Sequence, residues 1–399
     1  MAESNGFKPP YYAHIIGWGM AVPETIMTND DLASFVETSN EWIIARTGIR
    51  ERRIASDRES TFTLGRDAAL QALRVAEVHA GELDLIICAT STAENVFPAT
   101  ANLIQSDIGA GNAGAFDLSA ACSGFVYGVY MESQAIQSGA AKTALVIGSE
   151  TMSRVMDWQD RSTCILFGDG AGAVVLERRS EPGGVLSGVL RSEGQNAKNL
   201  YIPAFGSIDL DINHAALQGN KLGKMVMDGQ EVFKFATRVI ADGIRQAVSR
   251  AGITMDDVKL IIPHQANLRI IDAAARALGI DKDMFVCNLD RYGNTSAASI
   301  PLALAETVQL GRIKEGDYIV LVGFGGGLTW AASVIEWSGP GRHKREFGAG
   351  EQLRLLRASA GSTLRRIGRR YGRILNEIRP ERGRMQRLKS RIDRDEREK

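Results

Sequence analysis

The sequence predicts an α/β protein in which one unit is used twice. Three observations carry this. Apolar runs of strand length alternate with segments of helical apolar period along most of the chain. The distance from Ile86 to Val146, 60 residues, is nearly matched by the 59 from Ile261 to Val320. The pieces also align in pattern: LDLIICAT with VKLIIPHQ, and KTALVIGSE…GDGAGAVVLE with DYIVLVGFGGG…AASVIEW. The halves are placed at residues 11–180 and 181–338, with 339–399 a basic extension.

In order, His14–Gly19 reads as a first strand and Asn29–Ile49 as a short helix followed by a Gly-broken turn. Thr63–Val78 has helical spacing, and Leu83–Thr90 is a continuous apolar run, hence a buried strand. Ala99–Ile108 is helical and Ala115–Leu118 a short strand. The helix from Cys122 is apolar all round in its first turns, which places it inside the protein. Lys142–Ser149 and Gly170–Glu177 complete the first set of strands. The second copy runs as helix Glu231–Arg250, strand Val258–Ile262, helix Leu268–Leu278, strand Met284–Asn288, helix Ala297–Leu310, then strands Tyr318–Val322 and Leu328–Trp337.

The composition is that of a globular protein: 44% hydrophobic and 24% charged over 399 residues, with 42 glycines and 10 prolines. No apolar run reaches transmembrane length and residues 1–10 lack a signal-peptide core, so a cytoplasmic protein is expected. The four cysteines (88, 122, 164 and 287) lack metal-ligand spacing, which argues against a zinc site or a disulfide scaffold. The net charge of zero conceals an asymmetry. Nineteen Lys+Arg against eight Asp+Glu follow residue 339, leaving 28 against 39 before it.

Asp117–Phe125 organises the chemistry. An apolar strand ends, small residues make a corner, and Cys122 sits where a helix begins; the helix N-terminus favours a thiolate nucleophile there. Cys88, Cys164 and Cys287 lie in apolar strand patterns, as inert buried cysteines do. Duplication puts Ala297 opposite Cys122, just past Gly293-Asn294-Thr295-Ser296. His264 follows the second copy's first strand. Cysteine, His264 and Asn294 therefore fall at the carboxyl ends of parallel strands, where open α/β sheets place ligands. On spacing alone His264 could be a capped structural histidine and Asn294 a turn residue. His14 heads a strand, while His79, His214 and His343 lie in polar surroundings. Gly323–Leu328 lacks the lysine of a phosphate loop, and its glycines suit a backbone that approaches a ligand with N–H groups.

SAACSGF, PHQANLRI, LDRYGNTSAASIPLAL and GFGGGLTW, with TSNEWIIARTGIRERR and DRSTCILFGDGAGAVVL, strongly resemble β-ketoacyl-acyl-carrier-protein synthase III, from about His14 to Trp337. The resemblance implies the duplicated five-layer αβαβα thiolase-like fold. It also implies a decarboxylating condensation of a short acyl-CoA with malonyl-acyl carrier protein, starting type II fatty acid synthesis without metal or redox cofactor. Cys122 would carry the acyl group, and the N–H groups of Cys122 and Gly326 would hold its oxyanion. His264 and Asn294 would bind the malonyl thioester carbonyl. Trp42 and Arg161 would enclose the CoA adenine, with Arg46 at its phosphates and Thr38 close by. Phe97 matches a residue that enters the partner subunit's acyl tunnel in this dimeric family, and its bulk points to short primers. Lys234, Arg269 and Arg276 match the patch that docks the carrier protein. Asp228-Gly229-Gln230 departs from the commoner family variants, which weakens the carry-over of pantetheine contacts there.

The family ends near Trp337, and the extension is read as disordered or as a basic amphipathic helix from Leu353 to Ile378. Membrane contact, pairing with another tail or non-specific nucleic-acid contact is open to it, and specific nucleic-acid recognition is not expected. Alternatives to the condensing enzyme are a sister enzyme of secondary metabolism, an acyl-CoA cysteine hydrolase, and a non-catalytic acyl-binding protein.

Overall fold

The computed structural model describes residues 10–203 and 222–340; the basic extension, His214 and His343 lie outside these residues. The chain opens with β1 (Tyr12–Ala21). A small antiparallel pair follows, β2 (Ile26–Thr28) with β3 (Glu51–Arg53), and α1 (Asn29–Ala33) and α2 (Asn40–Thr47) lie between them. Next come α3 (Thr61–Ala76), β4 (Leu85–Ala89), α4 (Thr100–Ile108), β5 (Gly114–Leu118), α5 (Gly124–Gln137), β6 (Thr143–Thr151) and β7 (Asp169–Arg179). The second half holds β8 (Gly184–Ser192), the short pair β9 (Leu200–Tyr201) and β10 (Val226–Met227), α6 (Gly229–Ala251), β11 (Val258–Pro263), α7 (Leu268–Leu278), α8 (Leu289–Tyr292), α9 (Ser299–Gln309), β12 (Tyr318–Gly325) and β13 (Thr329–Glu336).

The two main sheets share one topology. The first runs β1-β7-β6-β4-β5 and the second β8-β13-β12-β11, with Phe285 bridging Ile261 in parallel where a fifth strand would stand. Ile86 pairs with Leu145 and Ile261 with Val320, so both copies have a spacing of 59 and the sequence count was one residue long in the first. The layers stack α-β-α-β-α. Helices α3 and α4 cover one outer face, α6 and α7 the other, and α5 and α9 lie between the sheets, each touching strands of both. Phe125, Val126, Val129, Ile300 and Leu304 join Val146 and Leu321 in this middle core. That is why α5 is apolar on so many sides.

Three expectations differ from the structure. The helix over Asn29–Ile49 is two helices, because Thr28 caps the first in a capping box with Asp31 and Ser39 starts a second cap. Strand Met284–Asn288 reduces to the single bridge at Phe285, which leaves Cys287 exposed rather than buried. Strand β8, rich in Gly and Ser, was not anticipated; it forms the edge of the second sheet against β13.

Two glycines at matching positions let the halves meet. A Cβ on Gly148 of β6 would lie 2.2 Å from the carbonyl oxygen of Ala297, and one on Gly323 of β12 would lie 3.0 Å from that of Cys122. Each strand thus touches the other half's helix start. Gly148→Ala is expected to cost about 1–3 kcal/mol through overpacking, read as a lower urea midpoint. Gly194→Ala, whose Cβ would meet nothing within 4 Å, should leave the midpoint unchanged.

Candidate active site

Cys122 stands at a corner that the chain builds twice. After β5 a single 3-10 turn, Ala121–Ser123, leads into α5; in the second half the turn Ser296–Ala298 leads into α9. Ala121 (φ 45°) and Ser296 (φ 48°) are both left-handed, a conformation that costs a side-chain-bearing residue energy. The strain falls just before Cys122 in one copy and just before Ala297 in the other, at the pair the sequence spacing matches.

Cys122 is 7% exposed, and its Sγ donates to Ser296 Oγ at 3.4 Å. Burial pushes the thiol up to about 12, a nearby Glu150 carboxylate adds to this, and the Ser296 contact opposes it. This burial opposes the thiolate expected at the helix start. Loss of solvation therefore works against the N–H groups at the start of α5.

His264 follows the last residue of β11, and its N–H donates to Val322 O of β12 at 2.8 Å. Its ring meets Phe324 edge-on, 5.2 Å between centroids. Nδ1 is buried without a hydrogen-bond partner, and burial pushes the imidazole down to about 3, so it is neutral at physiological pH. Gln265 braces the segment: its amide donates to Pro263 O (2.8 Å) and Val286 O (3.0 Å) and accepts from Asn288 N (3.0 Å).

Asn294 is held by the other half of the chain. Its N–H donates to Leu166 O (2.8 Å) and its carbonyl accepts from Gly168 N (3.0 Å). The side-chain Oδ1 accepts from Ser296 N at 2.8 Å, which leaves the amide N–H groups for a ligand. The fully buried Arg52 supports this arrangement by donating to Ile165 O (2.8 Å) and Asn29 Oδ1 (2.9 Å).

Cys122, His264, Asn294, Ser296 and Gly326 all line one cavity of about 1430 Å³. Gly325 packs against the Cys122 amide, where its Cβ would come within 2.5 Å of the nitrogen, and Gly326 is the next residue. Trp42, Arg46, Lys234 and Arg269 line the same cavity. Arg46 and Arg161 lie over the Trp42 ring, 4.6 and 5.6 Å from its centroid, and Arg161 also donates to Glu37 O at 3.1 Å. The cavity brings in neither Thr38, whose Oγ1 is buried and unpartnered, nor Arg161, Phe97 or Arg276. Phe97 is 84% exposed, and Arg276 is exposed on α7, as is Arg269. Asp228 caps α6 and lines the cavity as well. Among the described residues no three His, Cys, Asp or Glu side chains come together as metal ligands.

Sequence reasoning missed Ser296 and Glu150. Glu150 is fully buried on β6 and accepts from Ser91 N (3.0 Å), Thr90 Oγ1 (3.2 Å) and Thr92 Oγ1 (2.5 Å). The duplication held the signal: Glu150 aligns with Gly325, so it faces Ala297 as Gly325 faces Cys122.

Comparison with known proteins agrees with this architecture. The family model 3-oxoacyl-[acyl-carrier-protein (ACP)] synthase III matches residues 116–194, and its C-terminal counterpart matches residues 248–337. A protein of Symbiobacterium thermophilum named beta-ketoacyl-[acyl-carrier-protein] synthase III is 51% identical over 323 residues, covering 81% of this chain and 97% of the relative. The crystal structure of 3-oxoacyl-[acyl-carrier-protein] synthase III from Aquifex aeolicus superposes with a TM-score of 0.75 at 44% identity, over 82% of this chain and all of that one. A priming β-ketosynthase from the R1128 polyketide biosynthetic pathway gives 0.76 at 34%, over 84% of this chain and all of that one.

Proposed function

The chain belongs to the β-ketoacyl-acyl-carrier-protein synthase III family, and from that premise we propose how its site carries out the condensation. The enzyme is an acyltransferase that joins an acyl-CoA primer to malonyl-acyl carrier protein, giving 3-ketoacyl-acyl-carrier protein, CoA and carbon dioxide. The observation that carries the assignment of roles is the meeting of Cys122, a neutral His264 and the free amide of Asn294 in one cavity.

Cys122 attacks the primer thioester and holds the acyl group, splitting a difficult carbon–carbon bond formation into two steps. Backbone N–H groups of Cys122 and Gly326 are suited to the oxyanion of that transfer. The malonyl thioester then enters, and its carbonyl takes hydrogen bonds from His264 and the Asn294 amide. A buried imidazole that resists protonation is a donor and not a proton source. Its proton belongs on Nε2, since an orphaned buried acceptor at Nδ1 is less costly than an orphaned N–H. As carbon dioxide leaves, charge accumulates on the carbonyl oxygen, where both donors gain strength; the enolate carbon attacks acyl-Cys122. This sequence needs neither metal nor redox cofactor.

CoA is read as entering past Trp42 and Arg46, its adenine displacing Arg161 from the indole face, with Thr38 at the edge of that site. Lys234, Arg269 and Arg276 present positive charge to an acidic carrier protein; the Lys234–Glu231 pair is exposed and weak, so it can be exchanged. The open edge strand β5 with exposed Phe116, Val96 and Phe97 is an apolar surface suited to a homodimer. A primer pocket shaped by the partner's copy of Phe97 accounts for a short acyl preference.

Intact-mass analysis after incubation with acetyl-CoA should show an acyl adduct that is lost in Cys122→Ser. Free CoA without adduct would mark a hydrolase, and no reaction a binding protein. His264→Ala and Asn294→Ala should each lower carbon dioxide release about 10²–10³-fold while the adduct still forms; equal loss of both half-reactions contradicts their roles. Light scattering should give twice the chain mass, and a monomer contradicts the dimer.

A further inference from the structure

Resting on the acyl-transfer reading above, we propose that Thr329 is a positioning residue for the acylation of Cys122. With Ser123, its hydroxyl ties together the two backbone segments that carry the oxyanion N–H groups of Cys122 and Gly326.

Each segment needs holding for its own reason. The Cys122 N–H follows Ala121, whose left-handed φ of 45° would relax if the turn around it opened. The Gly326 N–H belongs to Gly325-Gly326-Gly327, where β12 gives way to β13 and no Cβ restricts the backbone. The register of that hairpin ends with Gly325 opposite Thr329, so Gly326 lies beyond the last ladder pair.

Thr329 opens β13 and reaches across to the turn that holds Cys122. Its Oγ1 lies 3.0 Å from the Gly326 carbonyl oxygen, 3.1 Å from that of Ala120 and 2.8 Å from Ser123 Oγ. Ser123 is fully buried and closes the other side. Its N–H donates to Ala120 O at 3.2 Å, and its Oγ lies 2.8 Å from the same oxygen. The Ala120 carbonyl, one peptide before the strained residue, is thus where the turn, the Ser123 hydroxyl and β13 converge. Two hydroxyl protons serve these contacts. With Ser123 donating to Thr329 Oγ1, the Thr329 proton goes to Gly326 O. One chain then runs Ser123–Thr329–Gly326, from the nucleophile's turn to the glycine loop.

The consequence is preorganisation. As Cys122 attacks the primer, the thioester oxygen gains charge, and donors already held at a fixed spacing need no rearrangement to meet it. Thr329 lines the cavity, but its hydroxyl is engaged by Ser123 and backbone carbonyls, so it acts through them.

The test compares two reactions of one sulfur. Single-turnover acylation of Cys122 by acetyl-CoA is read by intact mass, and alkylation by iodoacetamide is read at the Cys122 peptide. Alkylation displaces iodide at a methylene carbon and passes through no oxyanion, so it reports the thiol alone. Thr329→Val keeps the side-chain shape and removes the hydroxyl. It should lower the saturating acylation rate about 10–100-fold while half-saturation and alkylation stay as in wild type. Thr329→Ser should restore most of the rate, and Ser123→Ala, which removes the far end of the chain, should give a smaller loss. A Thr329→Val enzyme acylated as fast as wild type overturns the proposal. So does a loss carried by half-saturation, or one equal in acylation and alkylation, which would mark a general disturbance of the corner. If Thr329→Val fails to fold, as a thermal melt would show, Ser123→Ala decides by the same two rates. A wild type that is never acylated overturns the acyl-transfer reading itself; an acylated wild type with unaffected variants removes only the tie.

Discussion

The contact of Cys122 with Ser296 crosses the plane where two copies of one α/β unit meet, and the rest of the site is assembled around the cavity at that plane. Each sheet sends a strand end into a strained corner and a buried helix, and Gly148 and Gly323 allow the opposing strand to approach each corner's backbone. Duplication gives two equivalent corners. One carries Cys122, the proposed nucleophile, and the other, with Ala297 in its place, carries Ser296.

Closure selects the charge states. In a poorly solvated chamber an isolated ion is costly, so an unpaired imidazole stays neutral and a thiol keeps its proton. The buried carboxyl of Glu150 meets two hydroxyls and the Ser91 N–H, which offset part of the rise that burial causes. In the proposed mechanism the neutral donors His264 and Asn294 are matched to a charge that exists only as carbon dioxide leaves.

Much of this was legible in the sequence. The period of the apolar runs and their near-equal spacing gave the repeated unit, and the motifs around Cys122, His264 and Asn294 gave the cavity's reactive side chains. What failed did so for physical reasons. A helix start is visible in a sequence, but the desolvation of the sulfur beside it, which raises the Cys122 thiol, is not. Ser296 and Glu150 stand 146 residues apart and come near each other only across the seam. The edge strand β8 lacks the apolar alternation that marks buried strands, and Phe285 keeps one bridge of a strand whose counterpart β5 has five residues. Thr38, Arg161, Phe97 and Arg276 lie off the cavity in a single chain, where resemblance speaks and geometry alone does not.

The central claim is that burial at the end of the cavity raises the Cys122 thiol, so that the sulfur rests protonated. The most direct measurement is the thiolate ultraviolet absorbance of the intact enzyme minus that of Cys122→Ala as pH is raised. The account predicts a flat difference from about pH 6 to 9, with absorbance appearing only above that range. A full step centred near neutrality would show a resting thiolate and contradict it.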